Sequence, residues 1–226
     1  MKNVIASQRE WNKHLPEHLS ATTGQEFVLV DRVEDLTRDK LNQINPRYVF
    51  VPHWSKWIPS DVFENFETII FHMTEVPFGR GGSPLQNLIA RGIYETKISA
   101  LRCVREMDAG AVYTTRPLSL YGSAEEIYMR ANDRIEEMIL EIVTDEPDPK
   151  RQVGEATIFF RRKPEDGDLG QLGTIRQVFD TIRMLDAPGY PKAFIEVNAL
   201  RIEFNRATLT SEGVIADARI TVKEKA

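Results

Sequence analysis

The sequence predicts an α/β fold built on a parallel sheet, followed by a small β-rich appendage, and three observations carry that reading. Short runs rich in β-branched and aromatic residues alternate with helical patterns through the first 150 residues, the signature of βαβ units. The stretch TDEPDPKRQVG, residues 144–154, then breaks the pattern with two prolines, alternating charge and a glycine, and reads as a linker. Beyond it stand one helical pattern and three short β-like runs, too few for a large independent domain. The expected organisation is a core over residues 1–143, a linker over 144–154 and a small helix-and-strand region over 155–226.

Each element has a local reason. Apolar, β-branched runs at residues 3–6, 27–30, 48–51 and 69–72 read as strands. Between them lie helical patterns over 10–22, 35–43 and 60–66, the last with Ser60 placed to cap its N-terminus. A helix is expected over 84–91 and strands over 97–105 and 112–118, on either side of a tight turn at Asp108-Ala109-Gly110. A long amphipathic helix starts at Ser123, whose hydroxyl and Glu126 three residues later form a capping box. Its buried stripe is Ile127, Ala131, Ile135, Met138 and Ile142. After the linker come a helix over 174–185 and β-like runs over 194–197, 200–204 and 214–222. The apolar positions Ile195, Val197, Ile202 and Phe204 of these last runs need cover, from the main body or from a second copy, and a homodimer is expected.

With 42% hydrophobic and 28% charged residues in 226, the composition is that of a globular protein with a substantial core. The N-terminal apolar stretch is too short for a signal-peptide core, and no apolar run approaches a membrane span. One cysteine, Cys103, suits a reducing compartment, so a cytoplasmic location without membrane association is expected. A net charge of −5 and a pI near 5.5 argue against a broad nucleic-acid surface, and no nucleic-acid partner is expected.

Ligands of open parallel sheets sit outside the carboxyl ends of the strands. Two stretches leave strands there: VPHWSKWIPS and HMTEVPFGRGGSP. The first carries His53, Trp54, Ser55, Lys56 and Trp57, with the tryptophans open to two readings, packing or a ligand platform. The second has neither G-x-G-x-x-G nor a Walker lysine, so it is not a standard phosphate cradle. Its Gly79, Gly81 and Gly82 let the backbone turn close to a bound group.

HMTEVPFGRGGSPLQ resembles the H-x-S-L-L-P-x-x-R-G-x-x-P-x-Q signature of the folate-dependent formyltransferase family, through His72, Thr74 in place of serine, Pro77, Arg80, Gly81, Pro84 and Gln86. SKWIP is similar to that family's G-K-I-L-P loop, and VREMDAGAVY to its acidic D-x-G turn, which puts Asp108 36 residues after His72. RRKPEDGDL and IRMLDAPGYPKAF are similar to its post-linker segment, so the resemblance spans roughly residues 1–205. It implies a Rossmann-like formyltransferase core with N10-formyltetrahydrofolate as formyl donor. It implies His72 as acid/base and oxyanion donor, and Asp108 as the group that orients the imidazole and stabilises positive charge on it. The folate would lie against Ser55, Lys56, Trp57 and Ile58 and the segment Val104, Arg105, Glu106 and Met107, with Phe78, Gly79, Arg80, Gly81 and Gly82 toward the acceptor. The chain departs from the family at Ile70, where an asparagine usually stands. His53 either supplies the missing donor as a catalytic residue or is a strand-end residue bonded to backbone.

Formyl transfer needs an unprotonated amine, an oxyanion donor and a route for one proton. The tail after Phe194 is short and the chain acidic, which resembles nucleotide-linked amino-sugar N-formyltransferases. A UDP-linked 4-amino-4,6-dideoxy hexose is the expected acceptor. Methionyl-tRNA or another small amine, and a non-catalytic folate- or sugar-binding module, are the alternatives.

Overall fold

The structure, a computed structural model, describes residues 1–223. It divides into two compact units: Met1–Gly81 with Thr96–Leu118 and Met129–Ile158, and Gly82–Glu95 with Ser119–Tyr128 and the chain from Phe159 onward.

The first unit is built on strands β1 (Lys2–Ala6), β2 (Glu26–Val30), β3 (Tyr48–Val51), β4 (Thr68–His72), the short β5 (Arg80–Gly81), β6 (Glu95–Arg102) and β7 (Val112–Ser119). Its sheet has the order β2-β1-β3-β4-β6-β7. The first four strands are parallel, with Val51 opposite Ile70, but β6 runs antiparallel to β4, placing Ser99 opposite His72 and Arg102 opposite Ile69. One layer of core is Val4, Ala6, Val30, Leu36, Leu41, Val49, Val51 and Val62, with Trp54, Ile58 and Ile70 packed against it. Residues of the same strand two apart share a face, so Ile70 occupies an apolar cluster on the face that also carries His72.

The helical patterns resolve differently from the expectation. The span 10–22 is a 3-10 turn, Glu10–Asn12, and then α1 (Leu15–Thr23), because Pro16 is favoured in a first helical turn, where its missing N–H costs nothing. The span 35–43 is a 3-10 turn, Val33–Asp35, and α2 (Arg38–Ile44), capped by the Thr37 hydroxyl, which accepts from the Lys40 N–H at 3.3 Å. Ser60 does not cap: α3 (Ser60–Phe63) starts at Ser60 itself, behind Pro59.

In the second unit α4 (Pro84–Ala90) follows Ser83. The helix α5 (Ala124–Asp145), of which residues 124–128 belong to this unit and 129–145 to the first, opens with the expected box: the Ser123 N–H donates to Glu126 Oε2 at 2.7 Å and the Glu126 N–H to Ser123 Oγ at 3.3 Å. All five stripe residues are buried. The short β8 (Ile158–Phe159) precedes α6 (Ile175–Met184), which is capped by a Thr174–Gln177 box. The remaining strands β9 (Ala193–Val197), β10 (Leu200–Leu209) and β11 (Val214–Val222) form an antiparallel sheet in the order β11-β10-β9, with α6 packed on β10. Of the apolar positions expected to need a second copy, Ile195, Ile202 and Phe204 are half-buried within the unit and Val197 is exposed.

Candidate active site

His72 ends β4 and is 6% exposed. Its Nε2 lies 2.7 Å from the Gly79 carbonyl, and its Nδ1 lies 3.5 Å from Asp108 Oδ2. Residues 73–81 fold back over the ring, so that the turn supplies a carbonyl to the imidazole and an N–H, that of Gly81, to Asp108 Oδ2 at 2.9 Å. Beneath it Thr74 is fully buried, and the Ser99 hydroxyl donates to the Thr74 carbonyl at 2.7 Å.

Asp108 reaches this position by a reversal. Because β6 is antiparallel to β4, the chain leaves it level with the start of β4, where the Cys103 N–H donates to the Thr68 carbonyl at 2.7 Å. Residues 104–110 then double back, with Asp108 in the left-handed region at φ 52°. Gly110 permits the closure, since a Cβ there would stand 1.7 Å from the Arg102 carbonyl oxygen.

Sequence reasoning passed over one residue of this site. Gln152, in the supposed linker, accepts from Arg80 Nε at 3.0 Å and Nη2 at 2.8 Å, and donates to the carbonyls of Asp108 and Gly110, both at 2.8 Å. Its surroundings in sequence, PKRQVG, carry only turn and charge signals, so the sole available sign was an uncharged amide among them. The Arg80 guanidinium is engaged by Gln152 and, through Nη1, by Glu106 at 3.0 Å.

His53 lies just beyond β3 in a left-handed conformation, φ 52°, with its ring edge-on to Trp11 at 5.9 Å between centroids. Burial, with a smaller contribution from the positive charge of Arg9, pushes its pKa down to about 4, so the imidazole is neutral at pH 7. In the following loop Trp54 and Ile58 pack on the core while Ser55, Lys56 and Trp57 stand exposed, Trp57 by 75%. Val104, Arg105, Glu106 and Met107 are exposed as well; Arg105 bonds Glu64 at 3.1 Å. Phe78 and Gly79 belong to the turn over His72. Gly82, in the second unit, donates its N–H to the Phe159 carbonyl at 2.9 Å and approaches the backbone of Arg161 so closely that a Cβ would lie 2.6 Å from the Arg161 Cα.

Comparison with known proteins bears on the acceptor. Residues 164–221 match the family description "Methionyl-tRNA formyltransferase, C-terminal domain". The solved methionyl-tRNA formyltransferase from Clostridium thermocellum is 44% identical, over 99% of this chain and 100% of that one, with a TM-score of 0.95. The methionyl-tRNA formyltransferase of Sulfurihydrogenibium sp. (strain YO3AOP1) is 23% identical over 80% of this chain, which spans 63% of that relative's length. A sugar N-formyltransferase from Shewanella sp. FDAARGOS_354 is 15% identical, over 100% of this chain and 99% of that one, at a TM-score of 0.67, and shares the fold alone.

These findings overturn two expectations. The nucleotide-linked amino sugar is not the acceptor favoured by similarity, because the 44% identical structure carries the methionyl-tRNA name and the sugar enzyme stands far off. The exclusion of a nucleic-acid partner falls with it: relatives are named for an aminoacyl-tRNA substrate, and net charge over a whole chain does not report the local charge on which such binding depends. The short tail after Phe194 falls mostly within residues 164–221, the segment that matches the methionyl-tRNA formyltransferase C-terminal domain. N10-formyltetrahydrofolate remains the formyl donor implied by kinship, and with 44% identity across its length to a solved member, the chain belongs to the folate-dependent formyltransferase family.

Proposed function

We propose that this protein transfers the formyl group of N10-formyltetrahydrofolate to the α-amine of methionyl-tRNA. The observation that carries the reading is the 44% identity, end to end, with a methionyl-tRNA formyltransferase. The exposed Trp57 face and the exposed apolar Val104 and Met107 suit a flat heteroaromatic donor, whose chemistry is to present an activated formyl carbon. The amine attacks that carbon, a C–N bond forms, the bond to N10 breaks, and one proton passes from the amine to N10. In this reading His72 carries that proton and donates to the developing oxyanion once its Nε2 exchanges the Gly79 carbonyl for the reacting groups. Its Nε2 rests on the Gly79 carbonyl, so the ring is held by a neutral acceptor on one side and a carboxylate on the other. Asp108, whose Oδ2 lies 3.5 Å from Nδ1, orients the ring. His53, neutral, offers the N–H that the asparagine would supply at position 70.

A further feature supports an RNA acceptor. In the second unit Phe160 is 81% exposed and is followed by Arg161, Arg162 and Lys163, while its backbone is anchored by the Asn87 amide, which donates to the Phe160 carbonyl at 2.9 Å. An uncovered ring followed by cations suits stacking on a base and pairing with phosphates. The test is direct: incubate the protein with the donor and methionyl-tRNA, and measure N-formylmethionine released by hydrolysis. Formylation is expected. Absence of formylation, with tetrahydrofolate released only when another amine is supplied, would overturn the reading.

A further inference from the structure

The Gln152 side chain has four hydrogen-bonding sites toward neighbours, two lone pairs and two N–H groups, and all four are satisfied by one constellation. On one side is a guanidinium, which needs an acceptor. On the other are two backbone carbonyls, which need donors. Only a planar amide meets both demands at once. The carbonyls flank Ala109 and belong to the reversal in which Asp108 adopts φ 52°. That conformation costs roughly 1–2 kcal/mol in a residue with a Cβ, so it persists only where neighbours hold it. The same reversal aims the Asp108 carboxylate at the Gly81 N–H and the His72 ring.

We propose that Gln152 is a positioning residue for catalysis: by tying the Asp108–Gly110 reversal to the Arg80 guanidinium, it sets the place of the Asp108 carboxylate beside His72. Arg80 is a firm anchor because its backbone N–H donates to the Thr157 carbonyl at 3.0 Å and its Nη1 to Glu106. Gln152 touches no reacting atom in this scheme and acts through Asp108. Its effect on turnover rests on the formyl-transfer reading of the His72–Asp108 pair; its effect on the reversal does not.

The decisive variant is Gln152→Glu. It keeps an acceptor for Arg80 but turns an oxygen toward the two carbonyls, so it separates the reversal from the guanidinium. Two measurements are made on the full chain. In amide hydrogen exchange, the Gly81 N–H, which Asp108 accepts, should exchange about tenfold faster or more in Gln152→Glu, with the amides of β1 and β3 unchanged. In turnover at saturating donor and methionyl-tRNA, Gln152→Glu should lose about tenfold or more with both Michaelis constants within about threefold, because a displacement of order 1 Å at a catalytic group is costly. In an Asp108→Asn background the same change should cost no more than about twofold, since the group being positioned has lost its charge. Exchange at Gly81 within about twofold of wild type would overturn the proposal. So would faster exchange throughout the sheet, or a full turnover loss persisting in Asp108→Asn. If the wild-type protein does not formylate methionyl-tRNA, the functional reading fails, and the exchange measurement alone still decides the role of Gln152.

Discussion

The proposed chemistry rests on three side chains, His72, Asp108 and His53, and each has its own signature. His72→Asn keeps a polar group at the end of β4 but removes the proton carrier, so turnover should fall by about a hundred- to ten-thousand-fold. Asp108→Asn should fall in the same range while still accepting the Gly81 N–H. Donor binding measured directly should survive both changes, and near wild-type turnover in either would remove the pair from the mechanism. His53 makes two separable predictions. As the donor to the developing oxyanion it should show, on replacement by Ala, a turnover loss of about a hundredfold with little change in Michaelis constants; unchanged turnover would reduce it to a packing residue against Trp11. As a half-buried, neutral imidazole it should make stability depend on pH. The unfolded chain takes up a proton near pH 6.5 that the folded chain refuses until about pH 4. The contribution is therefore fully present above pH 6.5 and is lost as pH falls toward 4, amounting to roughly 3 kcal/mol. Denaturant titrations across that window should show the slope in wild type and a flatter profile in His53→Phe.

At the scale of elements, what was legible is what short-range pattern encodes. The period-2 and period-3.6 runs placed β1 to β4, the Ser123–Glu126 box started α5 where expected, and the stripe from Ile127 to Ile142 is buried. The pair His72 and Asp108 could be named because each lies in its own short motif. The direction of β6 could not be read, because alternation of apolar residues is the same whichever way a strand runs. Nor could Gln152: its partners are 42 to 72 residues away, and no periodicity reports a bond of that separation. Ile70 shows the converse, a residue whose departure from the family motif was visible while its reason, the apolar cluster beside Val51, was not. The β6–β7 reversal also gives a stability test. Gly110→Ala would drive a Cβ into the Arg102 carbonyl, where only backbone can yield, whereas Gly213 has open space around it and no positive φ. A loss of about 2 kcal/mol or more is expected for Gly110→Ala, some 4–8 °C in melting temperature for a chain of this size, and almost none for Gly213→Ala. Equal melting temperatures for the two variants would contradict the close approach.

For the molecule as a whole, the net charge of −5 is a poor guide to its partner, because the charge is unevenly placed along the chain. Residues 159–226 hold eleven Lys and Arg against ten Asp and Glu, so the acidity lies almost wholly in residues 1–158. No helix among the described residues is long and apolar enough to cross a membrane. The donor is expected to be held chiefly through apolar and hydrogen-bonding contact, the RNA chiefly through phosphates, and salt separates these two kinds of binding. Raising monovalent salt from about 50 to about 200 mM should raise the Michaelis constant for methionyl-tRNA by about tenfold or more while moving that of the donor by no more than about twofold. The double variant Arg161→Ala/Lys163→Ala, at exposed positions beside Phe160, should weaken the tRNA constant by about tenfold at low salt and lower the log–log salt slope by between about one and two, since each lost phosphate contact releases fewer counterions. Phe160→Ala should weaken tRNA binding without changing that slope, because stacking releases no ions. Were the double variant to retain the full slope, the cations after Phe160 would not face phosphate, and the RNA would have to be held elsewhere on the protein.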